Sequence, residues 1–134
     1  MRTISIFDTK KEEESLERRL LDTNPILESF GNSKTFANEN SSRFCKHTHV
    51  SFTKFGFIHS ADIEAYLLEK SRIVHLPENE RNFHIFYQVL AAVAANNPRV
   101  TKYGIGDTSF KILGTGPSKM HDFNGNEVDE AARF

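Results

Sequence analysis

One cysteine, Cys45, is all the thiol this chain has, so no disulfide can form within it and a reducing compartment is favoured. Long apolar runs are missing as well. The opening MRTISIFDTK holds no stretch that suits a signal peptide, and nothing further along approaches a membrane span. A cytoplasmic protein without a membrane span is expected. An excess of one charge is also lacking: 17 Lys and Arg stand against 18 Asp and Glu, a formal net charge of -1. A dedicated binder of nucleic acid or of an acidic membrane would want a basic excess, so neither partner is expected. Repeats and low-complexity tracts are absent; the charged patch at 10–14 reads as a solvated helix start. What is present is 12 Phe in a chain only 38% apolar, large units of buriable surface in 134 residues, enough for one small domain.

The periodicity predicts a first helix over about 12–21, with Leu16, Leu20 and Leu21 on one stripe. Asn24-Pro25 then restarts the chain, since Asn is a good N-cap and Pro suits the first helical position. The short helix that follows carries Ile26, Leu27 and Phe30 on one side and stops at Gly31. Residues 44–52 read as a strand, 53–56 as a turn, and 57–67 as a second strand. In that strand Phe57, His59, Ala61, Ile63, Ala65 and Leu67 alternate with Ile58, Ser60, Asp62, Glu64 and Tyr66, so the two strands form an antiparallel hairpin. After an irregular 68–77, a long helix is expected from Asn79 or Glu80 to about Ala95, with Phe83, Phe86, Leu90 and Val93 on a stripe that wants burial on several sides. The rest to Asn126 reads as loop with a weak strand at 110–113, and a final short helix covers 128–134.

Between the second helix and the hairpin, 34–43 is polar with neither period, and loops of this kind carry function more often than cores do. Phosphoryl transfer from a nucleotide needs hydroxyl and amide groups for Mg²⁺ and the terminal phosphate, on a loop able to move when that phosphate leaves. Asn38, Ser41 and Ser42 are of those types, and Arg43 could lock the loop onto a carboxylate. Residue types alone would equally suit capping and turn roles.

The surrounding stretches are more specific. LLDTNPILESFGNSKT, NENSSRFCK, SADIEAYLLEKSRIV and ENERNFHIFYQVLA resemble the myosin motor family, in its order and close to its spacing. The resemblance covers about 10–93; 96–115 cannot be aligned, and GPSKMHDFNGNEVDEAARF resembles a later segment of the upper 50-kDa region only faintly. It implies that 38–43 is the switch I segment of a motor that binds and hydrolyses Mg·ATP. Asn38 then corresponds to the asparagine contacting the phosphates and Ser41 to the serine beside the γ-phosphate and the attacking water. Ser42 corresponds to the serine whose hydroxyl binds Mg²⁺, and Arg43 to the arginine that pairs with a switch II glutamate. The implied cofactors are ATP and Mg²⁺, the implied partner of the full-length parent is the actin filament, and the implied location is the cytoplasm and its cytoskeleton.

This chain departs from the family at Cys45, where Gly is usual, at His47 and at Ala37. If the backbone at Cys45 needed φ > 0, its Cβ would strain the switch. No P-loop of the form G-x-x-x-x-G-K-[ST] is present; in Gly114-Thr115-Gly116-Pro117-Ser118-Lys119 the Lys does not follow the second Gly, and Pro117 removes an amide a phosphate cradle needs. Switch II is missing too. The chain alone is therefore expected not to hydrolyse ATP, and to bind it no better than about millimolar, roughly -4 kcal/mol.

The expected fold is α/β, a fragment of a P-loop NTPase motor domain: two strands of a larger sheet plus flanking helices. Two other readings stay open. One is a truncated, non-enzymatic myosin-derived module that binds a partner through the face the remaining motor would cover. The other is a small zinc protein using Cys45, His47 and His49, which share a strand face, with His59 across the hairpin as fourth ligand.

Overall fold

The computed structural model describes residues 2–7, 16–105, 111–113 and 126–132. Its centre is a three-stranded antiparallel sheet in the order β1-β5-β4, built from β1 (Arg2–Phe7), β4 (Cys45–Phe52) and β5 (Ile58–Tyr66). The hairpin β4–β5 forms where the alternation predicted it. Thr53 accepts from Gly56 N at 3.0 Å and donates its own N–H to Phe57 O at 2.8 Å. Gly56 sits at φ +84°, a conformation that suits glycine. Register puts Thr48, Val50, Ala61 and Ile63 on one face, and Ala61 and Ile63 are buried there. The other face carries Cys45, His47 and His49 opposite Tyr66, Glu64 and Asp62, and is polar. The third strand, β1, was not read from the sequence; it pairs antiparallel with β5 from Arg2↔Ala65 to Phe7↔Ser60.

The expected restart at Asn24-Pro25 does not occur. α1 (Leu16–Gly31) is one helix with Pro25 inside it. Pro25 removes the backbone hydrogen bond that Leu21 O would otherwise accept, and in the preceding turn Thr23 Oγ1 donates to Leu20 O at 2.7 Å. The Asn24 side chain is not a cap: its Oδ1 accepts from Lys46 Nζ at 2.6 Å, fastening α1 to β4. Of the predicted stripe only Leu16 is buried; Leu21, Ile26 and Phe30 are exposed.

The second long helix, α2 (His84–Ala94), starts later than its periodicity suggested. Asn79 is at φ 63°, and the 81–83 backbone is spent on neighbours. Arg81 N donates to Lys34 O at 3.0 Å, and Phe83 bridges to Ser33. The buried Asn82 side chain donates to Arg72 O at 3.3 Å and Ile112 O at 2.9 Å, and accepts from Phe83 N. Tertiary polar bonds have outcompeted helix propensity here. The fully buried side of α2 is His84, Tyr87, Gln88 and Ala92, while Phe86, Leu90 and Val93 are half-buried.

Further along, a short α3 (Pro98–Thr101) replaces expected loop, capped by Asn97, whose side chain accepts from Arg99 N at 3.0 Å. Lys111–Leu113 is a 3₁₀ turn and not a strand, because the Ile112 and Leu113 carbonyls face the side chains of Asn82 and Tyr87. Of the helix expected over 128–134, residues 128–129 are irregular and 130–132 form a turn, with Ala132 N donating to Asp129 Oδ1 at 3.1 Å, while 133–134 lie outside the described residues. Within 68–77 a 3₁₀ turn, Lys70–Ile73, interrupts the irregular chain. Among the described residues no helix is long and apolar enough to cross a membrane.

Candidate functional site

Gly31 is where the site begins. The chain leaves α1 straight into β2 (Asn32–Ser33), which pairs antiparallel with β3 (Ser41–Ser42) in the register Asn32↔Ser42, Ser33↔Ser41. Arg43 N extends the ladder by donating to Gly31 O at 2.8 Å. A Cβ on Gly31 would overlap the ring of Phe44, so close packing, and not an unusual φ, calls for glycine. This ladder closes the base of the polar loop.

Inside the loop Thr35 N donates to Asn38 O at 2.8 Å, and Asn38 Oδ1 accepts from Asn40 N at 2.8 Å, a side-chain turn of the kind Asn favours. Lys34 and Glu39 form an ion pair across it. Asn40 ties the loop to three elements. Its Oδ1 accepts from Asn32 Nδ2 at 3.1 Å and lies 2.9 Å from His84 Nε2, and its Nδ2 donates to Glu28 Oε2 at 3.2 Å. The result is a loop with a fixed frame and exposed tips.

Ser41 and Ser42 face opposite sides of their strand, as a period of two requires. Ser42 is exposed, and its hydroxyl donates to Phe44 O at 2.9 Å, which leaves the oxygen lone pairs for a cation. Ser41 Oγ accepts from Arg43 Nη1 at 3.2 Å. Asn38 is exposed, and its Nδ2 has no partner among the described residues, so a donor faces solvent there. The residue types expected for a phosphate and Mg²⁺ are thus brought onto one loop. The donor set fits a hard cation through Ser42 and an anion through Asn38.

Arg43 has a partner that the sequence reading did not foresee. Its Nε donates to Glu69 Oε2 at 2.6 Å, and Arg72 Nε reaches the same oxygen at 2.9 Å. The buried Arg72 also pairs with Glu80 at 2.8 Å, and Glu80 Oε1 accepts from Phe36 N at 3.3 Å. Partial burial would raise the Glu69 pKa, but the hydrogen bonds and charges of Arg43 and Arg72 outweigh it and hold the carboxyl below its ordinary range. The alternating charges in Glu69-Lys70-Ser71-Arg72 were the available signal. What they pair with, 26 positions away, was not legible.

Two sequence expectations are settled by the strand geometry. Cys45 opens β4 in extended backbone without a positive φ, so replacing the usual glycine costs no strain. The zinc set does not assemble: the register shifts between Ser51 and Phe52, which leaves His59 without a partner on β4 and outside the regular pairing that sets Cys45, His47 and His49 opposite Tyr66, Glu64 and Asp62. No group of three or more His, Cys, Asp or Glu able to hold a metal ion is found among the described residues. The 114–119 segment lies outside those residues.

The family model "Myosin head (motor domain)" matches residues 1–130. Among curated relatives, Myosin-1 of Saccharomyces cerevisiae is 58% identical over 103 residues, covering 75% of this chain. The non-muscle myosin heavy chain of Drosophila melanogaster is 58% identical over 124 residues, 92% of the chain. Myosin-VIIa of the same fly is 47% identical over 119 residues, 89% of the chain. The chain spans only 5% of the first of these relatives, 6% of the second and 5% of the third.

Proposed function

The chain belongs to the myosin head family, and from that premise we propose that 38–43 is the switch I segment of an actin-based motor that binds and hydrolyses Mg·ATP. The surrounding fold is then a piece of a P-loop NTPase, working in the cytoplasm on the actin cytoskeleton. The observation that supports this best is the β2–β3 ladder, which gathers Ser41, Ser42 and Arg43 at one end of the loop while Asn38 stays exposed at the other.

In this reading Asn38 Nδ2 would donate to a phosphate oxygen, and Ser42 Oγ would ligate Mg²⁺ through a lone pair while keeping its proton and donating it to Phe44 O. Ser41 would stand beside the terminal phosphate and the attacking water. Arg43 closes the site by pairing, through its remaining Nη hydrogens, with a carboxylate from outside this chain. Bound Mg²⁺ supplies neutralisation of the phosphate charge, and the residues here orient and exclude. Without a phosphate cradle the chain itself binds nucleotide weakly, at about millimolar (-4 kcal/mol) or above, and does not turn it over.

The test uses the motor domain of the Drosophila non-muscle relative with its matching stretch exchanged for this chain. Ser42→Ala and Asn38→Ala are each expected to lower Mg·ATP turnover by about 10²–10³-fold, the range seen when one transition-state contact is removed. Turnover within twofold of the unsubstituted motor for both variants would end the reading.

A further inference from the structure

We propose that Glu69 is the positioning residue for Arg43: it fixes the plane of the guanidinium by its Nε edge and so aims the Nη edge at an incoming carboxylate. The proposal rests on the switch I reading and deepens it. A guanidinium is a planar fork, and two contacts on different edges determine its orientation. Here Nε is held by Glu69 at 2.6 Å and Nη1 by Ser41 Oγ at 3.2 Å, and among the described residues Nη2 and the second Nη1 hydrogen meet no acceptor.

The Glu69 carboxylate is itself held. Its backbone N–H donates to Arg43 O at 2.9 Å, so the two residues are joined by main chain as well as side chain. Arg72, only 2% exposed, shares the same carboxylate oxygen, and behind it stands Glu80, whose other oxygen accepts from Phe36 N. The series Arg43, Glu69, Arg72, Glu80, Phe36 therefore runs from one end of the loop to the other. Leu67, two residues before Glu69, is at φ 55°, a conformation a leucine rarely adopts. The chain bends there to bring Glu69 back onto Arg43. An ordinary surface ion pair has none of this support.

A merely structural ion pair and a positioning one differ in what their loss moves. In the exchanged motor, Glu69→Gln is expected to lower kcat for Mg·ATP at least tenfold with KM within twofold, and Glu69→Asp to recover most of it. In the same exchanged motor, the Arg43 Nε–H signal in ¹⁵N spectra is expected to exchange with solvent at least tenfold faster once Glu69 is Gln. Two results would overturn the proposal while leaving the switch reading intact. One is kcat within twofold for Glu69→Gln when Arg43→Ala abolishes turnover; the other is an Arg43 Nε–H that exchanges equally fast in both motors. Turnover unaffected by Arg43→Ala would remove the switch reading and this proposal together.

Discussion

Gly31 shows how a residue without a functional group can set a site's geometry. Its hydrogen occupies the only space the Phe44 ring leaves, and Arg43 N hangs on its carbonyl. Gly31→Ala should displace Phe44 and weaken the Arg43 N to Gly31 O bond. Amide exchange at Arg43 is expected to rise by 10- to 100-fold, equivalent to about 1–3 kcal/mol of overpacking. The sequence offered Gly31 as a helix stop, which it is, but the contact with Phe44 depends on a packing distance that no pattern encodes. The charged residues behave similarly. Glu69 has a lowered pKa in the folded chain, so its contribution to stability is present above the unfolded-state value of about 4.3 and is lost as pH falls through the folded one. Loop protection should therefore decline on acidification below about pH 4.3, and the decline should be smaller in Glu69→Gln, as pH-dependent amide exchange would reveal.

Elements were legible where one physical rule dominated. The hairpin β4–β5 followed from strict alternation and a glycine turn, and it lies where expected. The helices were less so because competing bonds moved their ends. α1 runs through Pro25, and α2 waits for Asn82 and Phe83 to finish their tertiary bonds. Pro25→Ala restores a missing N–H in a helix interior and should increase helical circular dichroism and amide protection across α1, by up to about 3 kcal/mol. Residue types in the 34–43 loop were readable one by one; the frame around it was not. Asn40 meets His84 across 44 positions and Arg43 meets Glu69 across 26, and neither spacing has a period. One further contact binds distant segments. Arg81, fully buried, pairs with Glu130 at 2.6 Å and lies over the Tyr87 ring. Glu130→Gln would leave a buried cation without its counter-charge, and a loss of about 3–5 kcal/mol in protection around 81–88 is expected by amide exchange.

At the scale of the molecule, large apolar side chains stand in solvent: Phe36 is 88% exposed, Phe55 75% and Phe57 71%. Leu21, Ile26 and Phe30 of α1 are also exposed. Such surface on a small chain marks faces that another body covers. It agrees with a sequence that spans only 5 to 6% of its curated relatives. The isolated chain is therefore expected to unfold broadly on heating, without the sharp transition of a self-sufficient domain. The central claim is that this sequence works as one part of a longer motor polypeptide. An immunoblot of the source cells with an antibody raised against a peptide of this sequence tests it most directly. A band several times heavier than 15.3 kDa is the expected result, and the switch I roles then belong to a working motor. A single band near 15.3 kDa would contradict the claim, and the chain would have to act by binding through its uncovered faces.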